Sequence, residues 1–263
     1  MGALNVSPES FHAGSVHTLG EDLLVAALAM VEAGAALIDV GARSTAPYLE
    51  NAVGQGEEAE RLARALELLA PKVSVPLSAD TPRPGPARAA LDAGAQVIND
   101  VSGLRDPEVA RLVGERGASV ILMASPGGGG RTEHPVAAVK GLLVEALERA
   151  RAAGIPEERI VLDPGIGFFR NQAIAWDEWD ARVLGGLAVF AALGRPLCVA
   201  VSRKSFIGAI TGRQRTEDRL AGSLAAATLA VWNGAALIRT HDVAETVDAV
   251  RVAERIRKAM RAL

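Results

Sequence analysis

Eight short apolar, β-prone runs alternate with helix-like segments along this chain, and that alternation constrains the fold more than any other feature. The runs cover residues 2–6, 36–40, 74–79, 96–99, 119–123, 159–163, 197–201 and 236–240. Segments rich in Ala, Leu, Glu and Arg come after them at 21–33, 57–69, 85–93, 107–116, 135–153, 180–193, 217–233 and 244–260. Three helix-to-strand junctions, EAGAALID, DAGAQVIND and WNGAALIRT, repeat a Gly-Ala pair. Glycine tolerates the left-handed backbone that ends a helix, so the repeating unit is one helix plus one strand. Such alternation forces parallel pairing through right-handed crossovers. Eight units close naturally into a (β/α)8 TIM barrel, an α/β architecture, with an open doubly wound sheet as the rival. A chain of 263 residues fits such a barrel as a single domain, expected to span 1–263.

Composition removes several function classes. The net charge of −3 gives no basic excess with which to hold nucleic acid or an anionic membrane. With 3 Trp and 1 Tyr, an aromatic platform for single-stranded nucleic acid is not expected. Cys198 is the single cysteine, so neither an internal disulfide nor a cysteine zinc site can form, and a reducing cytoplasm is expected. No apolar stretch reaches the roughly 18 residues of a membrane span. The beginning, MGALNVSPES, lacks the pattern of a signal peptide.

A barrel of this kind carries its site at the C-terminal ends of its strands. The polar or functional residues at the ends of the apolar runs are Asn5, Asp39, Asp80 with Thr81, Asn99 with Asp100, Met123, Asp163, Ser202-Arg203-Lys204, and Arg239 with His241 and Asp242. Carboxylates and amides here stand where β-structure has just been apolar, which implies a shared polar cavity. Asp80, Asn99 and Asp163 form an acceptor-rich wall suited to a flat heterocycle with amino and ring N–H groups. Lys204 can donate to a ring carbonyl or nitrogen, and Phe168 or Met123 can cover the ring face. The plain alternatives are that Asp163 fixes a turn before Pro164 and that Asp242 caps a helix. The other half of the cavity reads as basic. Arg239 and His241 project to one side of an extended chain, before a helix whose N-terminal end favours an anion. Asn5, on the strand next to the eighth in a closed barrel, offers an amide oxygen to Mg²⁺ bridging a diphosphate. Arg203 reads as a structural partner for a nearby carboxylate. His12, His17 and His134 lack metal-ligand spacing and read as surface residues.

GALNVSPESF, LIDVGARST, SADT, VINDVSG, LDPGIGF, VSRKSFIG and RTHDV together resemble, in order and rough spacing, the signature segments of the dihydropteroate synthases. The resemblance spans essentially the whole chain. It implies a (β/α)8 barrel, a homodimer, and condensation of a dihydropterin methyl diphosphate with p-aminobenzoate to give dihydropteroate and diphosphate. Carried over residue by residue, it implies pterin binding by Asp80, Asn99, Asp163 and Lys204, with Met123 and Phe168 lining the pocket. It further implies diphosphate and Mg²⁺ binding by Asn5, Arg239 and His241, and places Thr45 and Ser205 near the aminobenzoate.

The chain departs from that pattern in three places. GARSTAPY puts Ala46 where the resembled pattern has a diphosphate-binding Arg, and Arg43 where it has Glu, so Arg43 becomes a candidate anion ligand. Gly-Phe-Gly-Lys becomes GFFR, with Phe169 and Arg170. A Met-His segment becomes LMASPGGGG. All three fall on loops around the second substrate. The alternatives are therefore a methanopterin-type synthase with a ribosylated arylamine, a pterin-dependent methyltransferase, and a non-catalytic pterin-binding paralogue.

Overall fold

The computed structural model describes residues 1–6, 20–43, 53–127 and 131–260. Among the described residues there are eight strands: β1 (Gly2–Asn5), β2 (Ile38–Gly41), β3 (Leu77–Asp80), β4 (Val97–Asp100), β5 (Ser119–Met123), β6 (Ile160–Asp163), β7 (Cys198–Ala200) and β8 (Leu237–Arg239). β1 to β6 form one parallel sheet in chain order, and β7 pairs in parallel with β8. Single parallel bridges, Leu162 with Leu197 and Gly2 with Thr240, join the two sheets at both seams. Backbone hydrogen bonds from Leu162 N to Pro196 O (2.9 Å) and from Ala3 N to Thr240 O (2.8 Å) complete the ring. The barrel is therefore closed, as the alternation predicts.

Nine helices are described: α1 (Glu21–Glu32), α2 (Gln55–Leu69), α3 (Pro84–Asp92), α4 (Pro107–Arg116), α5 (Pro135–Ala152), α6 (Trp176–Gly185), α7 (Ser205–Thr211), α8 (Leu220–Trp232) and α9 (Val243–Met260). The helix expected over 180–193 instead starts earlier and breaks at Gly185–Gly186, continuing as a 3₁₀ turn, Leu187–Leu193. The break falls at a Gly-Gly pair, and Gly186 also lets α5 come close: a Cβ there would stand 2.5 Å from a Val136 methyl. The segment expected as a helix over 217–233 opens with a 3₁₀ turn, Thr216–Arg219, before α8. The short α7 gave no periodic signal in the sequence; Gly212 ends it in the left-handed region (φ 71°).

Two apolar cores lie on opposite sides of the strands. The larger packs strands against helices, with Trp179, Phe190, Leu62 and Leu66 among its fully buried members. The smaller fills the floor of the barrel: Met1, Ile121 and Cys198, flanked by Leu37, Val97, Val161 and Leu237. Side chains two residues apart share a face of a strand. One step further along the same inward faces, Leu37 gives way to Asp39, Val97 to Asn99, Val161 to Asp163 and Leu237 to Arg239. The strands thus turn from an apolar floor to a polar mouth within a single period.

Candidate active site

The mouth is organised around Arg239. Its Nε donates to Asp39 Oδ2 at 2.7 Å and its Nη2 donates to Asp80 Oδ2 at 3.1 Å. Asn99 Nδ2 donates to the same Asp39 oxygen at 3.2 Å. Side chains from β2, β3, β4 and β8 thereby form one hydrogen-bonded cluster. Asp39 is fully buried, and Asp80 and Asn99 nearly so. Asp39 Oδ1 and Asp80 Oδ1 are buried with no hydrogen-bond partner. An unmet buried acceptor carries a real desolvation cost, so these two atoms are primed for N–H donors.

Electrostatics follow from burial. Desolvation raises Asp80 to about 7, against the pull of Arg239, while the Asp39 charge pushes the same way as burial. Burial also raises Asp163, opposed by the Gly165 N–H and by Lys204. Asp163 Oδ1 accepts that N–H at 2.8 Å, so Asp163 does fix a turn, as its plain alternative holds. Burial lowers Lys204 to about 8, opposed chiefly by Asp163. For Arg239, burial works against the charge, yet Asp39 and Asp80 raise its pKa and keep it protonated. The cluster therefore holds a fixed cation and two unmet carboxylate oxygens, with Asp163 and a lysine lowered to about 8 beside it.

The remaining candidates surround this cluster. Met123 is buried and in register with Asp163. The Lys204 ammonium lies 4.8 Å from the Phe168 ring centroid. The Gly165–Gly167 turn presses on Lys204, for a Cβ on Gly167 would sit 3.1 Å from Cδ of that lysine. Ser205 begins α7 and accepts a hydrogen bond from Arg170 Nη2. His241 lies just past β8, its backbone N–H donating to Ser202 Oγ at 3.2 Å. Asn5 Oδ1 lies 3.1 Å from where a Cβ on Gly41 would stand, so the bare glycine leaves room beside that amide. Thr45 lies outside the described residues, as do Ala46, His12 and His17.

Three arrangements differ from the sequence reading. The basic half is not separate from the acceptor wall, because Arg239 is bonded into it through Asp39 and Asp80. Arg43 faces buried Glu58, its Nε 3.4 Å from Oε2 yet without a hydrogen-bond partner, while Arg83 Nη1 donates to the same oxygen at 2.9 Å. Asp242, read as a helix cap, spends its carboxylate on Arg203, which donates from Nε (2.9 Å) and Nη2 (2.6 Å). Arg203 thus has the carboxylate partner expected of it.

Asp39 is named from the sequence at a strand end but given no role, and Asp180 is not named as a site residue at all. Asp39 sits inside the apolar LIDV, and a carboxylate at an inward strand position is itself the signal. Asp180 lies on α6 and is almost fully buried. Its Oδ1 accepts the Gly167 N–H at 2.8 Å, and burial raises its pKa to about 6. Nothing in WDEWDARV distinguishes that residue from its exposed neighbours.

The comparisons with known proteins fit this geometry. A family model described as pterin binding enzyme matches residues 1–241. The chain belongs to the pterin binding enzyme family. It is 38% identical to the dihydropteroate synthase of Escherichia coli (strain K12) over 260 residues, covering 97% of this chain and 90% of that protein. The Bacillus subtilis (strain 168) dihydropteroate synthase is 34% identical, with coverages of 92% and 83%. A Xanthomonas albilineans dihydropteroate synthase solved with 4-aminobenzoic acid superposes with a TM-score of 0.88 at 40% identity, covering 97% of this chain and 92% of that one. A Yersinia pestis dihydropteroate synthase in a sulfonamide drug complex gives 0.90 at 34% identity, covering 98% and 93%. Those TM-scores put the closed ring seen here on the same fold as these two structures.

Proposed function

We infer that this site carries out dihydropteroate synthesis. It joins 6-hydroxymethyl-7,8-dihydropterin diphosphate to p-aminobenzoate and releases diphosphate. The observation that carries the reading is the cluster at the mouth, where buried Asp39 Oδ1 and Asp80 Oδ1 lack donors beside Asn99 and Arg239. A pterin edge presents amino and ring N–H groups of the kind those acceptors lack.

In this reading Asp80, Asn99 and Asp163 hold the ring edge-on, and Lys204 donates to the ring's carbonyl or nitrogen side. Phe168 and Met123 cover its faces. The arylamine nitrogen forms a bond to the exocyclic methylene as the carbon–oxygen bond to diphosphate breaks, and the amine proton leaves to solvent. The arylamine is a competent neutral nucleophile, so no side chain is assigned as an obligatory base. Arg239 and His241 stabilise the charge that collects on the departing diphosphate. The rest of the protein's contribution is orientation of the two reactants.

Asn5 would hold Mg²⁺. The described residues include no cluster of three or more His, Cys, Asp or Glu able to hold a metal, so Asn5 would add one oxygen ligand beside those of the diphosphate. That donor suits a hard ion that retains its waters, and when bound the ion would offset diphosphate charge. A homodimer is proposed as well, supported by apolar residues exposed on α8 (Leu229, Trp232) and α9 (Val252, Ile256). Light scattering on a sizing column measures that state, and a monomer at micromolar concentration contradicts it. Among the described residues no helix is long and apolar enough to cross a membrane. The lone buried Cys198 supports a cytoplasmic site of action.

The test of the reaction is direct. Incubate the protein with dihydropterin diphosphate, Mg²⁺ and p-aminobenzoate, and follow diphosphate release together with dihydropteroate. Product supports the reading. Release only with a ribosylated arylamine moves the function to a methanopterin-type synthase, and tight pterin binding without turnover moves it to a non-catalytic paralogue.

A further inference from the structure

The loop between β6 and α6 holds an arginine in an unusually fixed pose. Arg170 Nε donates to the Gly167 carbonyl at 3.1 Å. Its guanidinium carbon lies 4.2 Å from the centroid of the Trp176 ring, at the start of α6. Its Nη2 donates to Ser205 Oγ. The loop beneath is itself anchored: Phe169 is buried and stacks on Trp179 at 5.0 Å, and Asp180 holds the Gly167 amide. A planar ion fixed by a ring, a carbonyl and a hydroxyl has little orientational freedom left to lose on binding.

Its place matters as much as its rigidity. Ser205 comes directly after Lys204, and Lys204 lies over Phe168, so Arg170 stands at the outer edge of the ring site. In the reaction inferred above, the acceptor's amine faces the pterin methylene, which points its para substituent away from the ring. We propose that Arg170, presented by Trp176 beside Ser205, is the specificity-determining residue that recognises the acceptor's carboxylate. The carboxylate would take the Nη2 proton now given to Ser205 and accept from the serine hydroxyl as well. Guanidinium matches carboxylate in plane and spacing, whereas the lysine of the resembled Gly-Phe-Gly-Lys pattern is a point charge with no planar fork to offer.

This assignment rests on the proposed reaction, so its test must separate the two. Measure KM for p-aminobenzoate and for its neutral methyl ester, methyl 4-aminobenzoate, with wild type, Arg170→Met, Arg170→Lys and Trp176→Leu. Loss of a charged hydrogen-bonded contact should raise the p-aminobenzoate KM roughly 10- to 100-fold in Arg170→Met, while the ester KM moves by less than about 3-fold. Arg170→Lys should recover part of the selectivity, and Trp176→Leu should lose part of it; thermal melts confirm that each variant folds. An equal KM rise for both acceptors would make Arg170 a purely structural residue, and an unchanged p-aminobenzoate KM would remove it from the acceptor site; either overturns the proposal and leaves the reaction standing. Wild type that forms no product from either acceptor would overturn the reaction and this assignment together.

Discussion

The floor and the mouth of the barrel use the same strands and the same inward faces, yet their chemistry is opposite. Leu37, Val97, Val161 and Leu237 pack on Ile121 and Cys198 below. Two residues on, Asp39, Asn99, Asp163 and Arg239 meet above. The floor gains stability from removing apolar surface from water, at about 25 cal/mol per Å². The mouth gives up that gain to hold charges that only a ligand can fully satisfy. The difference teaches that the fold tolerates a costly site because its cost is confined to one layer of side chains, set on a floor that needs no ligand.

That contrast can be broken from the mouth. Asp39→Ala leaves Arg239 buried without its closest counter-ion and should cost about 3–5 kcal/mol in urea unfolding. Converting the pair to floor-like residues, Asp39→Leu with Arg239→Met, should recover most of that loss. A double variant as unstable as the single would show that the pair is a net stabiliser and the contrast false. Asp80→Ala should reduce pterin affinity by at least about 100-fold by calorimetry, since it removes an unmet acceptor of the ring wall; unchanged affinity would take Asp80 out of the pocket. Lys204→Met should abolish turnover yet raise the melting temperature by about 2–4 °C, because a desolvated ammonium is exchanged for an apolar group of similar length.

The smallest effect sharpens the comparison through pH. Asp80 is raised to about 7 and Lys204 lowered to about 8, and ring binding calls for carboxylate and ammonium together. Asp80 gains its charge as pH rises through about 7, and Lys204 loses its own as pH passes about 8. The free-enzyme profile of kcat/KM should therefore be a narrow bell, falling on the acid side with Asp80 and on the alkaline side with Lys204. Asp80→Asn should flatten the acid limb while keeping the alkaline one; a profile flat on both sides in wild type would refute the assignment.

The barrel was legible in the sequence because its signals are local. Apolar runs, three of them entered through Gly-Ala junctions, located the eight described strands to within a few residues, and 107–116 matched α4 at both ends. The break at Gly185–Gly186 fell inside a segment read as one helix although a Gly-Gly pair is itself a break signal; the close approach to Val136 shows only once α5 is in place. For the site, residues at strand ends could be named because the barrel places strand ends together. Partners could not be named, because pairing crosses the ring: Arg239 reaches Asp39 and Asp80 from the far end of the chain. Arg43 shows the same limit. Its charge was plain in GARST, but its place facing Glu58 depends on where α2 lies.

The two seams carry a consequence for the centre they enclose. Strand β7 leads to Lys204 and β8 carries Arg239; each seam with the other six strands has one parallel bridge, and Arg239 adds its bonds to Asp39 and Asp80. In chain order Asp39, Asp80 and Asp163 all come before Lys204 and Arg239, so the carboxylates of the centre precede both of its cations. Closure of the ring and supply of counter-charge to its centre are therefore one and the same contact between the last strands and the first.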